Sequence, residues 1–352
     1  MLAETALLTA LIERGDHWRR SPASVGGRVG HKEWSHFCVF GDGIELLLNW
    51  SLMDDTGSFR PRVEVPRVTW LVRSDAGGWD GELEEFDSEH VAVRGGRIDL
   101  RMGASELRFR DGVYEIDAVL GGGRVALHLL LRPLARPAIT SSIALGSGSA
   151  VRWFVVPRLE ADGVISVAGR RHELRRAPAY HDRDWGRFGW GGDFSWEWAI
   201  ALPDDRESPW SLVFQRFSDR HRLRVLSQGI LLWRRGTHAR TLHSRDLSVR
   251  SSGRLRAAAC LRVPRVMALA APGSAADLPR RIEIEASNGG DRLAIELELL
   301  DLAQIVVPND GDVPGVTVIS EARSRANVEG RVRGERVSFA GPAVVELNRA
   351  PA

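Results

Sequence analysis

Trp34-Ser35-His36-Phe37-Cys38-Val39-Phe40, the turn Gly41-Asp42-Gly43, and the run from Ile44 to Met53 closed by Asp54 describe a β-hairpin led by a tryptophan. A second stretch follows the same plan: Trp196 to Leu202, the turn Pro203-Asp204-Asp205, then Trp210 to Phe217 and Asp219. Between and beyond them, short runs rich in Val, Ile, Leu, Phe and Trp alternate with Gly, Asp, Asn and Pro turns such as Gly95-Gly96, Asp111-Gly112 and Asn288-Gly289-Gly290. Such spacing suits antiparallel strands, not alternating βαβ units. The expected fold is mostly β, with two tandem antiparallel barrel or sandwich domains, each opened by one hairpin. Leu2, Leu7, Leu8, Leu11 and Ile12 recur near helical spacing and predict a short N-terminal helix ending near Gly15. The expected organisation is a helix and linker over 1–22, a first β domain over 23–175 and a second over 176–352.

With 352 residues the chain has room for two domains. Its 48 basic and 46 acidic residues leave a net charge of +2, with no basic stripe that calls for nucleic acid. Lys32 is the only lysine, so a Schiff-base mechanism has one candidate. Cys38 and Cys260 make neither a disulfide framework nor a zinc site. The N-terminus lacks a basic lead and a small-residue cleavage site, and no run approaches the roughly 18 apolar residues of a membrane span. A cytoplasmic enzyme is expected, with no cofactor, no metal, no nucleic acid and no integral membrane segment. Asp54-Asp55-Thr56-Gly57 reads as a turn, as do Gly121–Gly123 and Gly146-Ser147-Gly148, since no P-loop Lys or helix follows the glycines. No Gly-x-Ser-x-Gly elbow occurs.

The chemistry concentrates in Tyr180-His181-Asp182-Arg183-Asp184-Trp185-Gly186, with Phe188, Trp190, Phe194, Trp196, Glu197 and Trp198 close behind. Charge is costly to bury unless paired, so this mixture suggests a polar cluster against an apolar pocket. Strand alternation sends His181, Arg183 and Trp185 to one face and Asp182 with Asp184 to the other. The first set is expected to line the pocket, with the aspartates as braces. A salt-bridge network bracing two barrels is the competing reading. Trp196 and Trp198 share a face. Glu33, Trp34 and His36 are candidates to line the same cleft from the first domain. Glu321 and Glu346 read as paired or exposed carboxylates.

The run at 180–186, with Trp153-Phe154-Val155-Val156-Pro157, Gly163 and Gly169 ahead of it, resembles the central signature of the carotenoid 1,2-hydratase (hydroxyneurosporene synthase) superfamily, which usually reads Tyr-His-Asp-His-Asn-Trp-Gly. Glu33-Trp34-Ser35-His36-Phe37 resembles its Glu-Trp-Trp-Tyr-Phe. Glu329 to Gly334, with Val345-Glu346-Leu347, is similar to its closing strands. The resemblance implies tandem lipocalin-like domains, a cofactor-free site lined by both, and chemistry ranging from hydration of acyclic carotenoids to closure of decalin rings by Diels-Alderases. The sequence departs from the pattern at Arg183 for His, Asp184 for Asn, Ser35 for Trp and His36 for Tyr. An arginine, with a pKa above about 12, does not donate a proton, but its fork of donors holds a carbonyl or carboxylate. Arg183 is therefore expected at a pocket mouth on an oxygenated substrate. The expected function is a cyclase or isomerase of a bulky, hydrophobic, oxygenated polyene, terpenoid or polyketide intermediate of secondary metabolism. The alternatives are a hydratase of an isoprenoid C=C bond and a non-catalytic carrier of an apolar ligand. Expected catalytic residues are His181, Arg183, Asp182 and Asp184. Expected substrate-binding residues are Trp34, His36, Trp185, Trp196, Trp198 and Glu33.

Overall fold

A computed structural model describes residues 2–19, 30–55, 63–146, 148–255, 260–270, 278–311 and 313–349. Most of the expected linker after the helix, residues 56–57 of the Asp-Thr-Gly turn and Ser147 lie outside them. The N-terminal helix spans Leu2–Gly15. Nearly all else is antiparallel strand, curled into two sheets, as the hairpin pattern predicts. One short parallel pairing, Leu261–Val263 against residues 303–305, is the exception among the described residues.

The chain divides into two compact units. The first holds residues 1–143, 149–189 and 310–312; the second holds 144–148, 190–309 and 313–352. In the first, the opening strand His31–Gly41 pairs on one side with Ile44–Asp55, its hairpin partner. On its other side it pairs with Arg170–Arg187, the closing strand of the unit. That strand pairs in turn with the penultimate strand, Ser149–Val167. The second unit repeats the order. Its opening strand Ser195–Ala201 lies between Trp210–Ser218 and the closing strand Glu335–Arg349, which pairs with the penultimate strand Val316–Val332. A boundary at 175/176 falls inside the strand Arg170–Arg187. The chain passes from one unit to the other between Gly189 and Trp190, because the 180–186 run hydrogen-bonds to the opening strand of the first sheet. The strand after Trp210–Ser218 begins at Val225, and Arg222 turns the chain ahead of it with a φ of 60°.

Each penultimate strand bends at a glycine. Gly163 (φ 141°) and Gly330 (φ 155°) adopt conformations that other residues rarely reach. A Cβ on either would sit 2.1 Å from a carbonyl oxygen of the neighbouring strand, His128 or Arg292. Such kinks let long strands curl around a core. In the first unit that core includes Phe37, Val39, Leu46, Leu48, Trp50 and Phe154. In the second it includes Ala199, Phe214, Leu232, Ala322, Val345 and Leu347.

Candidate active site

The closing strand of the first unit carries Tyr180 to Gly186, and its register with the opening strand decides which groups meet. Phe37 lies opposite His181, Ser35 opposite Arg183 and Glu33 opposite Trp185. These residues share one face, as alternation predicts, but it is the core face and not the expected pocket face. There they enclose Asp16, just beyond the helix. Asp16 Oδ2 accepts from His181 Nε2 at 2.8 Å and from the Tyr114 hydroxyl at 2.7 Å, while Oδ1 accepts from Arg183 Nε at 2.6 Å. His181 Nδ1 lies 2.9 Å from the His36 carbonyl oxygen, so an oxygen lies within hydrogen-bond reach of each ring nitrogen. Arg183 Nη1 lies 3.6 Å from Glu33 Oε1, and the guanidinium carbon stacks 4.1 Å over the Trp18 ring. Glu33 also accepts from the Arg19 backbone N–H at 3.0 Å, and Arg19 covers Trp185 at 3.6 Å. Asp16, Glu33, His181 and Arg183 are all fully buried. Arg183 thus sits in a core-facing ion network and not at a pocket mouth.

Burial pushes the Asp16 carboxyl up, but the charges and hydrogen bonds of His181 and Arg183 outweigh it and hold that carboxyl well below the usual carboxylate range. A carboxyl depressed on folding contributes stability that is present above its unfolded pKa of about 3.9 and is lost as pH falls toward its folded value. Stability measured by urea unfolding is therefore expected to fall below roughly pH 4. The fall should be shallower in Asp16→Asn. An equal slope in both proteins would show that Asp16 is not the group responsible.

The opposite face of the same strand pair carries Trp34 against Asp184, His36 against Asp182 and Cys38 against Tyr180. Asp182 Oδ2 accepts from the Tyr180 hydroxyl at 2.7 Å and from Trp153 Nε1 at 3.0 Å. Burial, then the Asp182 charge, pushes the Tyr180 phenol well above its ordinary value, so it stays a donor. Burial, and then His181, pushes His36 down to about 3, so its ring is neutral; its Nε2 lies 3.1 Å from Cys38 Sγ. Trp34 packs edge-on against Phe188 at 6.0 Å. Lys32 is buried and ion-paired to Asp310 at 2.8 Å, which ties up the one Schiff-base candidate.

Trp196 and Trp198 lie in the second unit, opposite Asn348 and Glu346. The Trp196 indole N–H donates to Glu346 Oε1, and its ring stacks on Phe194 at 5.9 Å. Glu197, on the alternate face, pairs with Arg216 at 3.4 Å. The expected site residues therefore fall into three groups. Glu33, His181, Arg183 and Trp185 are on the core face of the first unit. Trp34, His36, Asp182 and Asp184 are on its opposite face. Trp196 and Trp198 are in the second unit. Sequence reasoning missed Asp16, Trp18, Tyr114 and Trp153 as partners. The signal for the first two was Asp16-His17-Trp18-Arg19, the same mixture of carboxylate, imidazole, indole and guanidinium as the 180–186 run. Two near-surface groups among the described residues, Asp87/Glu89/His90 and Glu115/Asp117/His128, have metal-compatible geometry, and neither includes a residue of that run.

No family model and no curated protein matches the sequence. Solved structures do match its fold. An AttH-like protein from Nitrosomonas europaea superposes with a TM-score of 0.61 at 14% identity, over 95% of this chain and 97% of that one. Kievitone hydratase from Nectria haematococca gives 0.60 at 13%, over 94% and 91%. CghA, crystallised with Sch210972, gives 0.60 at 14%, over 92% and 89%. At these identities the likeness is one of fold, and the fold shared along nearly the whole chain is the two-unit β architecture that the resemblance of the 180–186 run implied.

Proposed function

We propose that the chain is a cofactor-independent enzyme that uses acid–base chemistry at a C=C bond of a bulky, hydrophobic, oxygenated molecule, leading to ring closure, isomerisation or hydration. The observation that carries this reading is the Asp182 carboxyl, which is buried, turned away from the core and fixed by Tyr180 and Trp153 on one oxygen. A positioned carboxyl moves a proton to or from a reacting carbon, and aromatic faces such as Trp34 and Trp153 steady the cationic character that develops. The Asp182 carboxylate takes up a proton from water and places it on one alkene carbon as the common first step, becoming a carboxylate again. Water then adds, or a second C=C attacks within the folded chain, and a proton returns to the protein. The fold shared with kievitone hydratase supports the first branch. A ring closure driven by Arg183 as a carbonyl clamp loses its main support, because Arg183 is engaged with Asp16 and Glu33.

The branches separate on oxygen labelling. Acyclic polyene alcohols and enones incubated with the protein in ¹⁸O-water are expected to give either a labelled hydrate or an unlabelled isomer. Saturable binding with recovery of unchanged ligand across the panel would establish a carrier and end the enzymatic reading.

A further inference from the structure

The second unit carries an acid centre of its own. Its opening, closing and penultimate strands set Trp198 opposite Glu346 and Glu346 opposite Glu321. Gln215 flanks Trp198 on the other side. The row Gln215–Trp198–Glu346–Glu321 alternates with Phe214, Ala199, Val345 and Ala322 of the apolar core, so it lies on the face turned away from that core. It ends in residues that fill little space, Gly229 beside Gln215 and Ala303 beside Glu321. The first unit has a counterpart on its own non-core face, Ser51–Trp34–Asp184–Trp153. Each unit thus puts a tryptophan beside a carboxyl where its first and last strands meet.

Glu321 and Glu346 are direct cross-strand neighbours on one face, and two adjacent carboxyls disfavour the ionisation of both. Glu321 is 1% exposed, and burial pushes the Glu346 carboxyl up. Besides Trp196, the groups facing the pair from neighbouring strands are the neutral Asn348 and Gln215 and the cation Arg323, which is itself paired with Asp301 at 3.9 Å. Gln215 adds an independent pointer to a ligand. It is 9% exposed, and its Oε1 is buried with no hydrogen-bond partner among the described residues. A buried acceptor of that kind is costly unless a donor reaches it.

We propose that Glu321 and Glu346 hold one proton between them at neutral pH and donate it as a hydrogen bond to the carbonyl oxygen of an unsaturated, hydrophobic ligand that lies against Trp196 and Trp198, with Gln215 Oε1 accepting from a ligand hydroxyl. No bond is broken: the neutral acid polarises a conjugated carbonyl, the task that Arg183 does not perform. The class of ligand rests on the function proposed above. The test uses infrared spectroscopy of the full chain at pH 7 with β-ionone as the probe. The wild type should show a protonated-carboxyl band that shifts in D₂O and is missing from Glu321→Gln/Glu346→Gln. Bound β-ionone should show a carbonyl stretch lowered relative to the free enone in the wild type and not in the double variant. Trp198→Phe should keep the carboxyl band and bind β-ionone several-fold more weakly, which serves if the double variant does not fold. No protonated band in the wild type, no binding of β-ionone, an unlowered carbonyl stretch, or an unchanged affinity in Trp198→Phe would each overturn the proposal. Asp182→Asn should leave band and shift intact, so a failure of the Asp182 reading leaves this result standing, and the converse holds.

Discussion

Arg183→Ala should lower the melting temperature steeply while leaving turnover per folded molecule unchanged. The guanidinium is fully buried, with Asp16 at 2.6 Å, Glu33 at 3.6 Å and the Trp18 ring beneath it. Removing it strands two carboxylates in the core of the first unit. Breaking a buried pair by deleting one partner costs about 3–5 kcal/mol, because the remaining carboxylates lose a buried counter-ion that no water replaces. At about 2–4 °C per kcal/mol for a unit of this size, the melting temperature should fall by roughly 10 °C. Arg183→Lys keeps a charge but loses the planar fork, so an intermediate loss is expected. Asp16→Asn should add little to Arg183→Ala, since both break one network. A variant that melts normally and has lost turnover would restore Arg183 to the substrate.

Asp182→Asn should do the reverse. Asparagine has nearly the same shape, and its amide oxygen still accepts from Tyr180 and Trp153, so the melting temperature should barely move. What it lacks is a proton to exchange. Loss of a general acid or base lowers kcat by roughly 10²- to 10⁴-fold. Asp184→Asn, two residues along the same face and half-buried, is the matched control and should have a much smaller effect. Turnover that survives Asp182→Asn would remove the carboxyl from the chemistry and leave Tyr180 as the next group to test.

Period-two alternation was enough to separate His181, Arg183 and Trp185 from Asp182 and Asp184, and the two hairpins were enough to propose a doubled β fold. Which face held the core was not legible, because both faces of this strand carry charge and aromatics. Asp16 decides the matter, and it meets His181 from 165 residues away, where no spacing rule applies. The unit boundary was misplaced for a related reason. A strand belongs to the sheet it pairs with, and nothing in the composition of residues 176–187 names the strand His31–Gly41 as its partner.

That partnership also sets the order in which the protein can form. Because the opening strand of each unit pairs with the closing one, neither sheet is complete until its last residues have left the ribosome. Hairpins such as 31–55 close early and locally, whereas the seam that gathers Asp16, Glu33, His181 and Arg183 must wait for a loop of well over a hundred residues to close. Long-range pairing of this kind slows folding far more than it affects final stability. The nascent first unit therefore carries an unpaired Trp34–Phe40 edge through most of its synthesis, and substitutions at the seam should also lower the yield of folded protein in the cell.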